Sequence, residues 1–302
     1  MRPIHICLAV LVAAIWGVNF VVIHVGIGSL PPLLLAALRF VVAAIPVFFI
    51  PKPAISWPRL IAVAATLFIG QFGLLFTGMA IGMTPGLASV VLQAQAFFTL
   101  LVAALVLRER PKPRQLAGMS VAAAGLVLIA TTAGHNGMTG LGLALCFAAA
   151  LSWGLGNVLL RGAGRIEMFG AMVWLSLIPP LPLLALSLLI EGPAADLHAL
   201  ASLDLGGIGA ILYISVLSTL VGYGLWGHLL KLYPAVTVAP FSLLVPIFGA
   251  GSSALLLHES FSPSRLVGMG LLLGGVAVVA LPLTRWLERC RLALTGAGAR
   301  QP

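Results

Sequence analysis

Charge is scarce in this sequence: only 8% of its 302 residues are Asp, Glu, Lys or Arg, against about a quarter in a soluble domain. So few charges cannot keep the surface of a soluble protein of this size wet, so most of the chain must face lipid or other apolar helices. Acid is scarcer still, with 7 Asp and Glu in all. None falls clearly inside an apolar run, and there are no paired intramembrane aspartates. The chain also lacks an H-E-x-x-H motif and a G-x-S-x-G with a plausible base, which argues against an intramembrane enzyme. The three cysteines, Cys7, Cys146 and Cys290, are odd in number and far apart, so no disulfide framework and no metal site are expected. No cofactor is called for. Period-two alternation is missing too, which excludes a lipid-embedded barrel.

What the sequence has is apolar length. It is 61% hydrophobic, with 34 Gly and 20 Pro, a mixture that suits membrane helices. A hydrocarbon core of about 30 Å needs roughly 20 apolar residues per helix. Ten such runs can be drawn, over 4–26, 31–50, 59–81, 86–107, 115–133, 139–160, 169–190, 205–230, 235–257 and 265–284. Turn-forming breaks separate them, among them Pro31-Pro32, Thr84-Pro85-Gly86, His135-Asn136-Gly137, Tyr233-Pro234 and Ser262-Pro263. The N-terminus reads as a retained first spanning helix, because its apolar run continues to about Gly26 without a small-residue cleavage site. Pro46 in the second run, Pro179, Pro180 and Pro182 in the seventh, and Pro240 and Pro246 in the ninth are expected to interrupt their helices.

The net charge of +9 sits in short loops, with no basic helix or aromatic-basic stripe, so it is read as topology control and not as a nucleic-acid surface. Placing the N-terminus in the cytoplasm puts every Lys and Arg except Arg39 and Arg265 on the cytoplasmic side. The longest outer loop carries Glu191, Asp196 and Asp204 and no positive charge. The expectation is a multi-pass protein of the cell inner membrane with both termini cytoplasmic.

An internal repeat is visible. Residues 105–119, LVLRERPKPRQLAGM, align with 255–269, LLLHESFSPSRLVGM, bringing together Glu109 with Glu259, Pro113 with Pro263 and Gly118-Met119 with Gly268-Met269. Trp16-Gly17 and Asn19 find an echo in Trp153-Gly154 and Asn157. The chain thus reads as an all-α membrane protein of about ten transmembrane helices in a 5+5 inverted-topology repeat. The first repeat covers 1–135, the second 136–285, and 286–302 form a cytoplasmic tail. In such an arrangement the substrate lies near the midplane between halves.

The five-plus-five pattern, the WG near the start of each half and the paired junctions around Glu109 and Glu259 resemble the EamA family of drug/metabolite transporters. The segments WGVNFVVIHVG (16–26), LPPLLLAALRF (30–40), GLASVVLQAQAFFT (86–99), GYGLWG (222–227) and VAPFSLLVPIFG (238–249) resemble its O-acetylserine/cysteine-exporting branch. The resemblance implies export of cysteine-pathway metabolites, by an ion gradient or by exchange. One departure stands out: the first junction reads Arg108-Glu109-Arg110, the second His258-Glu259-Ser260, without the arginine.

Polar side chains inside apolar runs are costly unless they face a cavity or a partner. Arg39 is the one charge well inside a helix. It is either a cation for a substrate carboxylate or a structural arginine bonded to carbonyls near the outer face. Trp16 with Asn19, and Trp153 with Asn157, share helix faces at i, i+3 and i, i+4. They suit a zwitterion, or they glue helices together. Gln93 and Gln95 are two apart, so at most one is expected to face a cavity; Gln71 is a comparable candidate. Tyr223 and Trp226 share a face beside Gly222, Gly224 and Gly227. Glu109 and Glu259 fall at helix ends, to cap or to pair. His24 and His228 read as interfacial. The leading reading is a secondary exporter of a small amino-acid-like substrate, embedded in the lipid bilayer and working by alternating access. Its rivals are the same fold with another cargo (aromatic amino acids, purines or cationic drugs) and, least favoured, an enzyme. Oligomeric state is left open.

Overall fold

A computed structural model describes residues 1–134, 138–164 and 166–280. The break at His135-Asn136-Gly137, the last residues of the tenth run, the 286–302 tail, Cys290 and the basic residues Arg165, Arg285, Arg289, Arg291 and Arg300 lie outside the described residues. Among the described residues there is no strand, and ten helices are long and apolar enough to cross a membrane. They are α1 (Pro3–Ser29), α2 (Pro32–Phe49), α3 (Trp57–Ala80), α4 (Pro85–Val106), α5 (Pro113–Ala130), α6 (Gly140–Arg161), α7 (Met168–Ile190), α8 (Leu205–Leu232), α9 (Ala239–Leu256) and α10 (Pro263–Ala280). A short surface helix, Pro193–Ala201, joins α7 to α8, and one turn, Ala235–Val238, leads into α9.

Proline starts these helices where the sequence put its breaks. Pro3, Pro32, Pro85, Pro113 and Pro263 each occupy the first turn, where the missing N–H goes unused and the fixed φ suits the helix. Acidic side chains also cap helix starts. The Glu191 carboxylate accepts from the amides of Leu33, at 2.8 Å, and Leu34, at 3.3 Å. Asp204 accepts from the Gly207 amide and the Ser29 hydroxyl, at 2.8 and 2.9 Å. These bonds, the Gly207 amide first, hold its carboxyl below the ordinary range.

Side chains such as Phe48 (85% exposed) and Leu189 (83%) point outward, as the lipid-facing residues of a membrane helix do. Inside, Phe40 stacks on Phe68 with centroids 4.8 Å apart. α5 and α10 pack on one another along Gly118, Gly125, Gly268 and Gly275, where small residues let backbones approach. The first half of α4 (Pro85–Val91) packs on the last part of α9 (Val245–Leu256), while its second half (Gln95–Val106) packs on α6. The two helices therefore meet at one face and part toward the other. Here the face holding the start of α1 and the end of α10 is called the near face, and the opposite one the far face.

Several helices are irregular. Pro46 sits in a 3-10 stretch, Ile45–Phe49, and Pro240 in another, Ala239–Leu244. Pro179-Pro180 separate Met168–Ser176 from Pro180–Ile190. Pro246 differs from expectation: it opens the regular helix Val245–Leu256 and interrupts nothing. Three departures carry no proline. A 3-10 turn covers Leu92–Ala94, and wide π turns cover Ala65–Gly70 in α3 and Tyr213–Val221 in α8. Such turns interrupt the regular ladder and recur at functional sites.

Candidate functional site

A cavity of about 300 Å³ lies among α1, α2, α3, α4, α6, α7, α8 and α9. All ten residues singled out in the sequence line it: Trp16, Asn19, Arg39, Gln71, Gln93, Gln95, Trp153, Asn157, Tyr223 and Trp226. Two glycines bring the walls together. A Cβ on Gly17 would fall 2.7 Å from the Val245 carbonyl oxygen of α9, and one on Gly154 would fall 2.9 Å from the Thr99 amide of α4. Only glycine lets α1 and α6 sit this close, and each carries its tryptophan, Trp16 or Trp153, to the cavity wall.

Arg39 lies seven residues into α2, roughly 10 Å along the helix, and is 2% exposed. It does not reach back to carbonyls near the far face. Its Nε and Nη2 donate to the Thr219 hydroxyl at 3.2 and 3.0 Å. The guanidinium carbon stands 3.9 Å from the centre of the Phe72 ring, a favourable place for a cation. The third nitrogen, Nη1, is buried and has no hydrogen-bond partner. Asn19, 6% exposed, likewise keeps its Oδ1 buried and unpartnered. Two lining residues thus each keep one unpartnered polar atom, a cationic donor and an amide acceptor, closed off from water. Such groups are expensive to bury unpaired, so they are the strongest local sign of a missing ligand.

Aromatic rings form another wall. Trp16 lies 5.2 Å from Tyr223 and 5.3 Å from Trp226 between ring centres. Its Nε1 donates to the Ser218 carbonyl at 2.9 Å. Toward the near face, Asn157 Nδ2 donates to Gln95 Oε1 at 2.8 Å and to Thr99 Oγ1 at 3.1 Å. The lining continues to Leu160 and Met168, at the near-face ends of α6 and α7.

The expectation that Gln93 and Gln95 point apart is corrected. Both line the cavity, because the backbone between them is a 3-10 turn. Residues two apart are separated by about 160° around an α-helix but by about 120° at three residues per turn. Both amides can then flank one cavity. The sequence reading also missed Thr219 and Ser218. They lie in the π segment of α8, where the wide turn leaves Thr219 bonded to the Ile214 carbonyl five residues back. A Ser-Thr pair in an apolar run gives no signal that separates this role from ordinary back-bonding.

His24 and His228 are exposed and away from this cavity. Arg39 is its one permanently charged lining residue. Among the described residues no group of three His, Cys, Asp or Glu is arranged to hold a metal. Two exposed ion pairs stand among the described residues, Arg161–Glu109 at 3.2 Å and Lys231–Glu167 at 3.0 Å, and neither involves Arg39.

Ten membrane-length helices, eight of them lining a largely apolar cavity that holds a few amides and one fixed cation, define a multi-pass membrane protein of the transporter class. The family model of the EamA-like transporter family matches residues 3–131 and, a second time, 140–281. The chain belongs to that family. It is 41% identical over 291 residues to a probable amino-acid metabolite efflux pump of Escherichia coli K12, covering 94% of this chain and 97% of that one. It is 43% identical to the protein of the same description in Salmonella typhimurium LT2, covering 90% and 93%. A probable terminal-alkyne amino-acid exporter of Streptantibioticus cattleyicolor is 27% identical, covering 95% of each. A crystal structure 19% identical to this chain has the same fold, with a TM-score of 0.60 over 89% of this chain and 94% of the other.

Proposed function

We propose that this protein exports small amino-acid metabolites of the O-acetylserine and cysteine kind across the bacterial inner membrane, by alternating access between two oppositely oriented five-helix halves. The carrying observation is the pair of buried, unpartnered polar atoms on two residues that line the cavity, Arg39 Nη1 and Asn19 Oδ1. A guanidinium suits a carboxylate, and an amide oxygen suits the ammonium group of the same zwitterion. A volume of about 300 Å³ stands at the lower end of small-molecule sites, in keeping with a small cargo. The Escherichia coli and Salmonella relatives carry a description of the same kind.

The two-half arrangement is supported by the double match to the family model. It is supported too by a shared backbone feature: Arg108 and His258, 150 residues apart, are the non-glycine residues with left-handed φ among those described, at 55° and 54°. The bias of Lys and Arg supports a cytoplasmic near face. Cationic drugs fit poorly, because the fixed charge of Arg39 repels them.

Counterflow of labelled cysteine and O-acetylserine into proteoliposomes tests the reading. Uptake against unlabelled cargo is expected. Uptake of dyes or purines alone, with none of either amino acid, overturns it.

A further inference from the structure

Glu259 and Glu109 stand 150 residues apart at matching junctions, and the structure uses them differently. Glu259 follows α9 on the far face. Its carboxylate accepts from the Thr84 hydroxyl, from the Gly86 amide at 2.8 Å and from the Ser253 hydroxyl. Thr84 and Gly86 are the start of α4, and Ser253 is in α9. One carboxylate thus ties the beginning of α4 to the end of α9.

Glu109 follows α4 on the near face. It is half exposed and pairs with Arg161 at 3.2 Å. The corresponding helix start, Tyr233-Pro234-Ala235, is not bound by it. The Tyr233 hydroxyl meets His5 Nδ1 at 2.7 Å and the Arg2 amide instead. On this face α4 and α9 have parted, and the cavity lining reaches Leu160 and Met168. Each glutamate follows a residue in the left-handed region, Arg108 or His258. The same turn therefore delivers both carboxylates, and a conformation that non-glycine residues rarely adopt is kept at both places.

We propose that Glu259 is the bolt of the far gate, and that the state open to the far face releases it and seats Glu109 on the start of the turn Ala235–Val238 that leads into α9. The inference rests on the two-half reading above. One capped helix start is traded for another, so the two states stay close in free energy, as a carrier requires. The arginine absent from the second junction fits this scheme. Ser260 stands where the first half has Arg110, so the junction itself offers Glu259 no guanidinium, and the one that acts on its charge is that of Arg265 in α10. Glu109, when unseated, is parked on Arg161.

The test uses the full chain in intact cells, with its three native cysteines replaced by alanine and Ser89→Cys as reporter. Ser89 is fully buried in α4, one turn below the bolt. A membrane-impermeant maleimide reaches it from the far face only when α4 and α9 part there. Leu197→Cys, exposed on the surface helix, marks that face. Glu259→Gln is expected to raise far-face labelling about tenfold, and Thr84→Val to act in the same direction, since both weaken hydrogen bonds to a charged group. Adding Glu109→Gln to Glu259→Gln is expected to bring labelling back down. Labelling unchanged by both far-face substitutions overturns the proposal, and so does a further rise on adding Glu109→Gln. The readout needs no cargo. A parent chain that fails in counterflow therefore sinks the export reading while labelling still decides the bolt.

Discussion

The Thr219 hydroxyl accepts from two nitrogens of Arg39, at 3.0 and 3.2 Å, while donating to the Ile214 carbonyl at 2.8 Å. One side chain of the wide turn in α8 thereby fixes the direction of the cavity's cation. Thr219→Val keeps the shape and removes the acceptor, leaving two more buried N–H groups unpaired. Hydrogen bonds to charged groups are worth about 1.5–3 kcal/mol, so affinity for a carboxylate-bearing cargo is expected to fall roughly tenfold or more. Thr219→Ser restores it. Concentration dependence of counterflow separates this from a fold defect, since KM rises with less change in maximal rate.

Arg39→Gln removes the charge itself. Counterflow of cysteine should drop by at least about tenfold, the size expected for losing a charge-assisted contact. Arg39→Lys recovers only part, because an ammonium cannot meet Thr219 and a cargo with the same fork. Undiminished transport by Arg39→Gln would remove the guanidinium from recognition.

Gly17→Val tests the close approach of α1 to α9. The added atoms collide with the Val245 carbonyl and the Phe248 side chain. Overpacking of this kind costs about 1–3 kcal/mol. A lower unfolding temperature in detergent is expected. Gly28→Ala, where a Cβ meets nothing, serves as the silent control.

Glu167 supplies a pH dependence. Burial alone would raise its carboxyl, but hydrogen bonds from the Gly170 amide, Lys231 and the Phe169 amide outweigh that and hold it below 4.5. A depressed carboxyl stabilises the fold above its ordinary value, and the contribution is lost as pH falls through the lower folded value. The group is half exposed, so the effect is small and screened by salt. Thermal unfolding of Glu167→Gln should therefore show a flatter acid limb below about pH 4.5 than the parent. At neutral pH the parent should be the more stable of the two.

Much of this architecture was legible because lipid imposes it. Apolar length and proline at helix starts follow from constraints that act within one helix. The cavity wall was legible for the same reason: an Asn, Gln or Arg inside an apolar run has few places to go but inward. What escaped depends on backbone that sequence does not announce. Gln93 and Gln95 share the cavity through a 3-10 turn without proline or glycine. Thr219 reaches Arg39 from a π turn whose residues look like any apolar helix. The seat of Glu259 on α4 joins residues 175 positions apart, and helical periodicity is blind to such a pairing.

Arg39 has an electrical consequence. A guanidinium keeps its proton at physiological pH, so this charge is a fixed one. The membrane voltage falls across the stretch of protein that water does not reach, and that stretch lies on one side of Arg39 or the other according to which face the cavity addresses. If the halves alternate as proposed above, each swing carries one positive charge through the field, worth about 2.3 kcal/mol per 100 mV. In that scheme, with the near face cytoplasmic, an inside-negative voltage favours the empty carrier open to the cytoplasm, where export loads it. Turnover becomes voltage-sensitive even for a cargo of zero net charge.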